Sequence, residues 1–177
     1  MFEAMASHPF PFFTIGAHGA RPVLIREESR MRLVVLTVMA ALLSAAAEAH
    51  VRIAPAESRL RAMETYAARV PTEGKVTTTS VQLDVPDGVT IVSVIAPAGA
   101  SSELKRDGDR VVAVAWTTDI KPGEVAMLSF VARNPTAGGE IVWKVHQHYS
   151  DDTTSEWTGP AGSWGPAPVT RLLPAAR

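Results

Sequence analysis

Ser80-Val81-Gln82-Leu83-Asp84-Val85-Pro86-Asp87-Gly88 is the stretch whose reading decides the fold. Val81, Leu83 and Val85 alternate with Ser80, Gln82 and Asp84, the period of a strand that buries one face and wets the other. Pro86-Asp87-Gly88 then stops it, because proline presets one turn dihedral and glycine accepts a positive φ. The same grammar repeats downstream. Residues 90–95 form a second strand-like run, and Asp107-Gly108, a hairpin dipeptide, leads into Val111-Val112-Ala113-Val114-Ala115-Trp116. Lys121-Pro122-Gly123-Glu124 turns the chain into 125–131, and Asn134-Pro135 with Gly138-Gly139 turns it again before 141–149. No long segment has the period of a helix. Strands so spaced must bury their apolar faces against a second sheet, so the expected fold is an all-β antiparallel sandwich, immunoglobulin- or cupredoxin-like, of about seven or more strands.

Upstream of the strands, an apolar run over 33–46 ends at Ala47-Glu48-Ala49-His50. Small residues at Ala47 and Ala49 satisfy the A-x-A rule for leader cleavage, which predicts processing between Ala49 and His50. Met31-Arg32 followed by Leu33-Val34-Val35-Leu36 makes residues 31–49 the expected signal peptide. Residues 1–30 lack a sustained period, hold the loop-like His8-Pro9-Phe10-Pro11 and carry Glu27 and Glu28, so they read as an unstructured extension or a misassigned start. The apolar run falls short of the roughly 20 residues a spanning helix needs. The expectation is one domain, 50–177, exported to the periplasm or the extracellular space with no stable membrane span.

Cysteine is absent, which excludes disulfides and thiolate metal sites within one chain. Seventeen Lys or Arg stand against 18 Asp or Glu, a net charge of −1, so nothing in the charge points to nucleic acid or an anionic membrane. Nucleophile elbow, phosphate loop and HExxH are all missing, and an ordinary hydrolase is not expected. Processing at Ala49 would change what His50 is: a histidine at a free N-terminus offers its α-amine and its imidazole Nδ1 together, a six-membered chelate that suits Cu(II). His146 and His148 lie two apart, on one face of a strand with Lys144, and offer either a second metal site or a solvated face.

Several short motifs recur in a family's order. His50-Val51-x-Ile53-x-Pro55, Glu64-Thr65-Tyr66, Arg69-Val70-Pro71, Thr77-Thr78 and Val81-x-Leu83-x-Val85-Pro86-x-Gly88-Val89, with Trp116 before Ile120-x-Pro122-Gly123-Glu124 and Trp143 before Gln147-x-Tyr149 and Trp157-x-Gly159-Pro160, resemble the YcnI-like copper-binding domain of exported bacterial proteins. The resemblance covers nearly all of 50–177. It implies a Cu(II) site in which His50 binds through amine and imidazole, Glu64 supplies a carboxylate, and Trp157 stands close by. Indole is a poor ligand, so Trp157 is expected as a wall of the site. Glu57 is the rival carboxylate, in a turn-like Pro-Ala-Glu-Ser segment. Two departures stand out: Arg61 occupies a position where the family has glycine, and Asp151-Asp152 replaces an Asp-Gly turn.

The expected function is copper buffering, storage or delivery without catalysis, the copper ion being exchanged with a membrane copper transporter or another periplasmic copper protein. A brace-type copper oxidase and a metal-free adhesion or assembly module are the alternatives. Met63 and Met127 are the only thioethers beyond the leader, so Cu(I) finds little soft coordination and reduction should loosen the metal.

Overall fold

Alternating and β-branched runs give strands throughout residues 50–176, the part of the chain that the structure, a computed structural model, describes. The expected extension, signal peptide and cleavage site, residues 1–30 and 31–49, lie outside the described residues. Among the described residues twelve strands are present: β1 Arg52–Ala54, β2 Glu57–Arg59, β3 Met63–Pro71, β4 Thr78–Asp84, β5 Thr90–Ile95, β6 Ser101–Asp107, β7 Arg110–Ile120, β8 Val125–Arg133, β9 Glu140–Val142, β10 Lys144–Tyr149, β11 Thr154–Trp157 and β12 Val169–Leu173. They form a four-stranded sheet, β1-β3-β8-β5, a five-stranded sheet, β11-β10-β4-β7-β6, and a small sheet, β2-β12-β9. All pairings are antiparallel except β2 with β12. Among the described residues no helix is long and apolar enough to cross a membrane.

Inward-facing residues follow the alternation. Tyr66, Ala68 and Val70 of β3 and Leu128, Phe130 and Ala132 of β8 are buried on one sheet, and Val81, Leu83, Val114, Trp116 and Val145 on the other. Tyr66, Phe130 and Trp143 meet with ring centroids 5.1 to 5.4 Å apart, each pair adding about 0.5–1.5 kcal/mol beyond its buried area.

Local departures have local causes. The expected strand over 141–149 breaks at Trp143, whose backbone N–H donates to the Pro168 carbonyl at 2.8 Å while its indole donates to Thr170 Oγ1 at 3.1 Å. That takes Trp143 out of the ladder and separates β9 from β10. In the β6–β7 hairpin Asp107 pairs with Arg110, so the turn residues are Gly108 and Asp109, one step later than the dipeptide suggests; Gly108 takes φ 56°. Arg61 and Asp152, two positions where the resemblance leads to the expectation of glycine, are the non-glycine residues with positive φ among those described, at 63° and 64°. The loops keep the glycine conformation without the glycine.

Candidate metal centre

His50 lies two residues before the start of β1, and β1 pairs with β3 through Arg52–Arg69, Ile53–Ala68 and Ala54–Ala67. Following that antiparallel register back toward His50 leads to the Pro71 end of β3. There the His50 ring meets Trp157 edge-on, with centroids 5.5 Å apart and planes at 75°. Trp157 ends β11 and is buried. The loop after it folds back tightly: a Cβ on Gly165 would lie 2.0 Å from the Glu156 carbonyl oxygen, so only glycine fits.

The indole N–H of Trp157 donates to Gln147 Oε1 at 3.1 Å. Gln147 Nε2 donates to the Pro71 carbonyl at 2.9 Å and to Thr78 Oγ1 at 2.7 Å. Thr78 Oγ1 also bonds Thr72 Oγ1 at 2.7 Å. The expected pairing of His50 with Trp157 is therefore present.

Glu64 is not brought to His50, and the expected ligand set needs correction there. Glu64 lies near the start of β3, seven residues before Pro71, roughly 23 Å along an extended strand. Its Oε2 accepts from Ser58 Oγ at 2.7 Å and its Oε1 from the Thr65 backbone N–H at 3.2 Å. A directed chain of donors ends on it: Tyr66 O–H to Asn134 Oδ1 (2.7 Å), Asn134 Nδ2 to Ser58 Oγ (2.9 Å), Ser58 to Glu64. Burial raises the Tyr66 hydroxyl above its ordinary range, bonds with Ser58 and Asn134 oppose the rise, and the Glu64 charge adds to it. The physical reason is topological. Between His50 and Glu64 the chain traverses the sheet and turns, so a short sequence separation becomes most of the length of the sheet. Glu57, the rival, sits in β2 with an ion pair to Arg171 at 3.5 Å, away from His50 as well.

Glu73 is a carboxylate on the connection that leaves the Pro71 end of β3, two residues past Pro71 and exposed. Glu124 also approaches, through its carbonyl bonded to the Thr72 N–H at 3.0 Å, but its carboxylate caps the Lys121 N–H of its own turn at 2.9 Å. Sequence reasoning missed Glu73; the signal was its place just after Arg69-Val70-Pro71, where the first long strand stops. Among the described residues no three His, Asp or Glu side chains form a metal-holding group, and one chelating histidine with one carboxylate would not make one.

His146 and His148 share the outer face of β10, as expected, but β10 lies inside its sheet, between β11 and β4. His146 has both nitrogens engaged, Nδ1 with Glu156 Oε2 at 2.5 Å and Nε2 with Asp84 Oδ2 at 3.1 Å. Burial alone would lower its pKa; Asp84 and Glu156 outweigh that and hold it above the ordinary value. Burial likewise pushes Asp84 up, and the bonds from His146 and Gln82 bring it below its ordinary value. His148 Nδ1 pairs with Thr154 Oγ1 at 2.9 Å. Met63 and Met127 pair with Arg133 and Arg69, six strand steps or roughly 20 Å apart, so they form no two-thioether site.

The family model described as a domain of unknown function, DUF1775, matches residues 50–172. The chain belongs to the DUF1775, or YcnI, family. This DUF1775 chain is 35% identical over 135 residues to the copper-binding protein CutI of Bacillus subtilis (strain 168), a match that covers 75% of the chain and 66% of CutI. The chain thus spans a little under two thirds of that relative's length. Among solved structures, the DUF1775 fold is similar to an uncharacterized protein from Nocardia farcinica with an immunoglobulin-like fold, at a TM-score of 0.62 and 24% identity over 70% of this chain and 97% of that one. Of the two sandwich types expected, the immunoglobulin-like one is therefore found.

Proposed function

We propose that this DUF1775 protein is an exported copper carrier that binds Cu(II) at its own N-terminus. The observation that carries the reading is the His50 ring set against Trp157 at the strand end from which Glu73 emerges. After cleavage at Ala49, His50 supplies amine and imidazole nitrogen and Glu73, in place of Glu64, supplies an oxygen that offsets metal charge. That N,N,O donor set suits Cu(II) by ligand type, and the relative named for copper binding supports the choice of metal. Copper is the cargo. The buried Trp157 covers one side of the imidazole and restricts its orientation, and without cysteine the site has little to hold Cu(I), so reduction favours release to a membrane transporter or another copper protein. The reading is of a non-enzyme: of His146 and His148, the histidines that could complete a two-histidine oxidase site, the first is held between two carboxylates on the outer face and the second is bonded to Thr154 Oγ1.

The test is a copper titration of the processed protein against a variant with one methionine added before His50. One Cu(II) per processed chain is expected, with binding that weakens as pH falls because protons compete for both nitrogens. Equal affinity in the extended variant would exclude the amine as a ligand.

A further inference from the structure

Gln147 is fully buried on the inner face of β10, among Val145, Trp157 and Val81. An amide there is costly to desolvate unless every polar atom is paired, and an aliphatic residue would fill the space without that cost. Each of its polar hydrogens and its oxygen has a partner. Indole N–H can only donate and the Pro71 carbonyl can only accept, so the amide has one orientation, with Oε1 to Trp157 and Nε2 to Pro71 and Thr78.

Those partners come from three separate elements: β11, the last residue of β3 and the first residue of β4. Trp157 is the residue in ring contact with His50. Pro71 and Thr78 bracket the connection that holds Glu73, and the Thr72–Thr78 hydroxyl bond closes that connection at its base. One buried amide thus ties together the aromatic wall and the root of the carboxylate loop.

We infer that Gln147 is the positioning residue of the copper site, fixing Trp157 and the Glu73 loop relative to His50 without touching the metal. This rests on the copper reading given above. Partners of this kind behind metal ligands typically account for 10- to 100-fold in affinity.

The experiment uses exported protein whose N-terminus has been read as His50, with Cu(II) affinity, the Cu(II) electron paramagnetic resonance spectrum and the copper-free thermal melt measured together. Gln147→Met keeps the volume and removes all three bonds; it should weaken Cu(II) binding roughly 10-fold or more and alter the spectrum. Thr78→Val removes one bond and the loop closure, and carries the same test at lower cost to folding should Gln147→Met not fold. Asn134→Ala, which removes the buried amide beside Glu64, is the control for damage to the fold as such. It should lower the melting temperature and leave both copper readouts at their wild-type values. His50-dependent binding that is unchanged in affinity and spectrum by the Gln147 and Thr78 variants overturns this inference alone. Binding that survives His50→Ala overturns the copper reading, and this inference with it.

Discussion

Asn134 and Gln147 are both carboxamides buried in the sandwich, each bonded to an aromatic residue and to backbone from a neighbouring segment, and they do different work. Asn134 stands between Tyr66, Ser58 and the Arg59 carbonyl, and the carboxylate at its end of the sheet, Glu64, accepts from Ser58 and from the Thr65 backbone N–H. Every group there has its partner inside the fold. Gln147 is satisfied in the same way, but the aromatic it holds faces His50, and the carboxylate on the loop it ties down, Glu73, is left exposed to solvent. One network closes on itself, and the other closes beneath the ring that meets His50. Buried amides by themselves do not mark function, and what they hold in place does.

The sharpest way to break this contrast is to exchange the roles of the two glutamates. Glu73→Gln should weaken Cu(II) binding about 10-fold or more, which is about 1.4 kcal/mol or above, while Glu64→Gln should change it less than about 2-fold, under about 0.5 kcal/mol. Competition against a chelator of known affinity reads both. The opposite ranking would restore Glu64 as a ligand and show that the strand register described here does not hold in solution.

A smaller effect tests the closed end. Tyr66→Phe strands Asn134 Oδ1 in the interior and should cost about 1–2 kcal/mol of folding stability in a urea melt, with copper affinity unaltered. Loss of affinity on this substitution would mean that the two ends are coupled through the core.

The pH dependence of β11 is weaker still and works through His146. Its folded pKa is raised, so the stability it contributes is fully present below its unfolded value and is lost as pH rises through the folded one. Asp84, lowered, contributes above its unfolded value and loses that contribution as pH falls through its folded value. The carboxylate side chains are 41% and 53% exposed and solvent screens the pair. The stability difference between the native protein and His146→Gln should therefore be modest in weakly acid solution and shrink as pH is raised past neutrality. A difference that grows with pH would reverse the assignment. Because Lys144 also acts on Asp84, His146→Gln and Lys144→Gln should be followed side by side.

The smallest expected change is at the two left-handed loop positions. Arg61→Gly should gain about 0.5–1 kcal/mol in a thermal melt; Asp152→Gly should gain less, since aspartate tolerates that conformation better.

Strand positions were legible where alternation and turn residues agreed. Residues 90–95 match β5 and 125–131 fall within β8, because the first is a β-branched run, the second alternates, and both follow glycine-containing turns. The short strands β1 and β2 carry too few residues to show a period, and each pairs with a longer neighbour, β3 and β12. Trp143 breaks a run that looks continuous, through a bond to a carbonyl 25 residues away that no local pattern announces. The site divides in the same way. His50 and Trp157 could be named from motif order, and they meet; Glu64 could be named too, and it belongs to the other end.

What the sequence by itself determined is the set of local choices: the two-residue period, the turn chemistry and the lack of cysteine. These depend on residues a few positions apart, and steric and solvation rules act at that range. Which end of β3 lies by His50 was decided only by the tertiary structure. An antiparallel register converts separation along the chain into distance with the sign reversed on the partner strand, so that Pro71, and with it Glu73, is drawn to the His50 end while Glu64, nearer in sequence, is carried away from it. No pattern within either strand contains that pairing, because it is set by which apolar faces meet across the core.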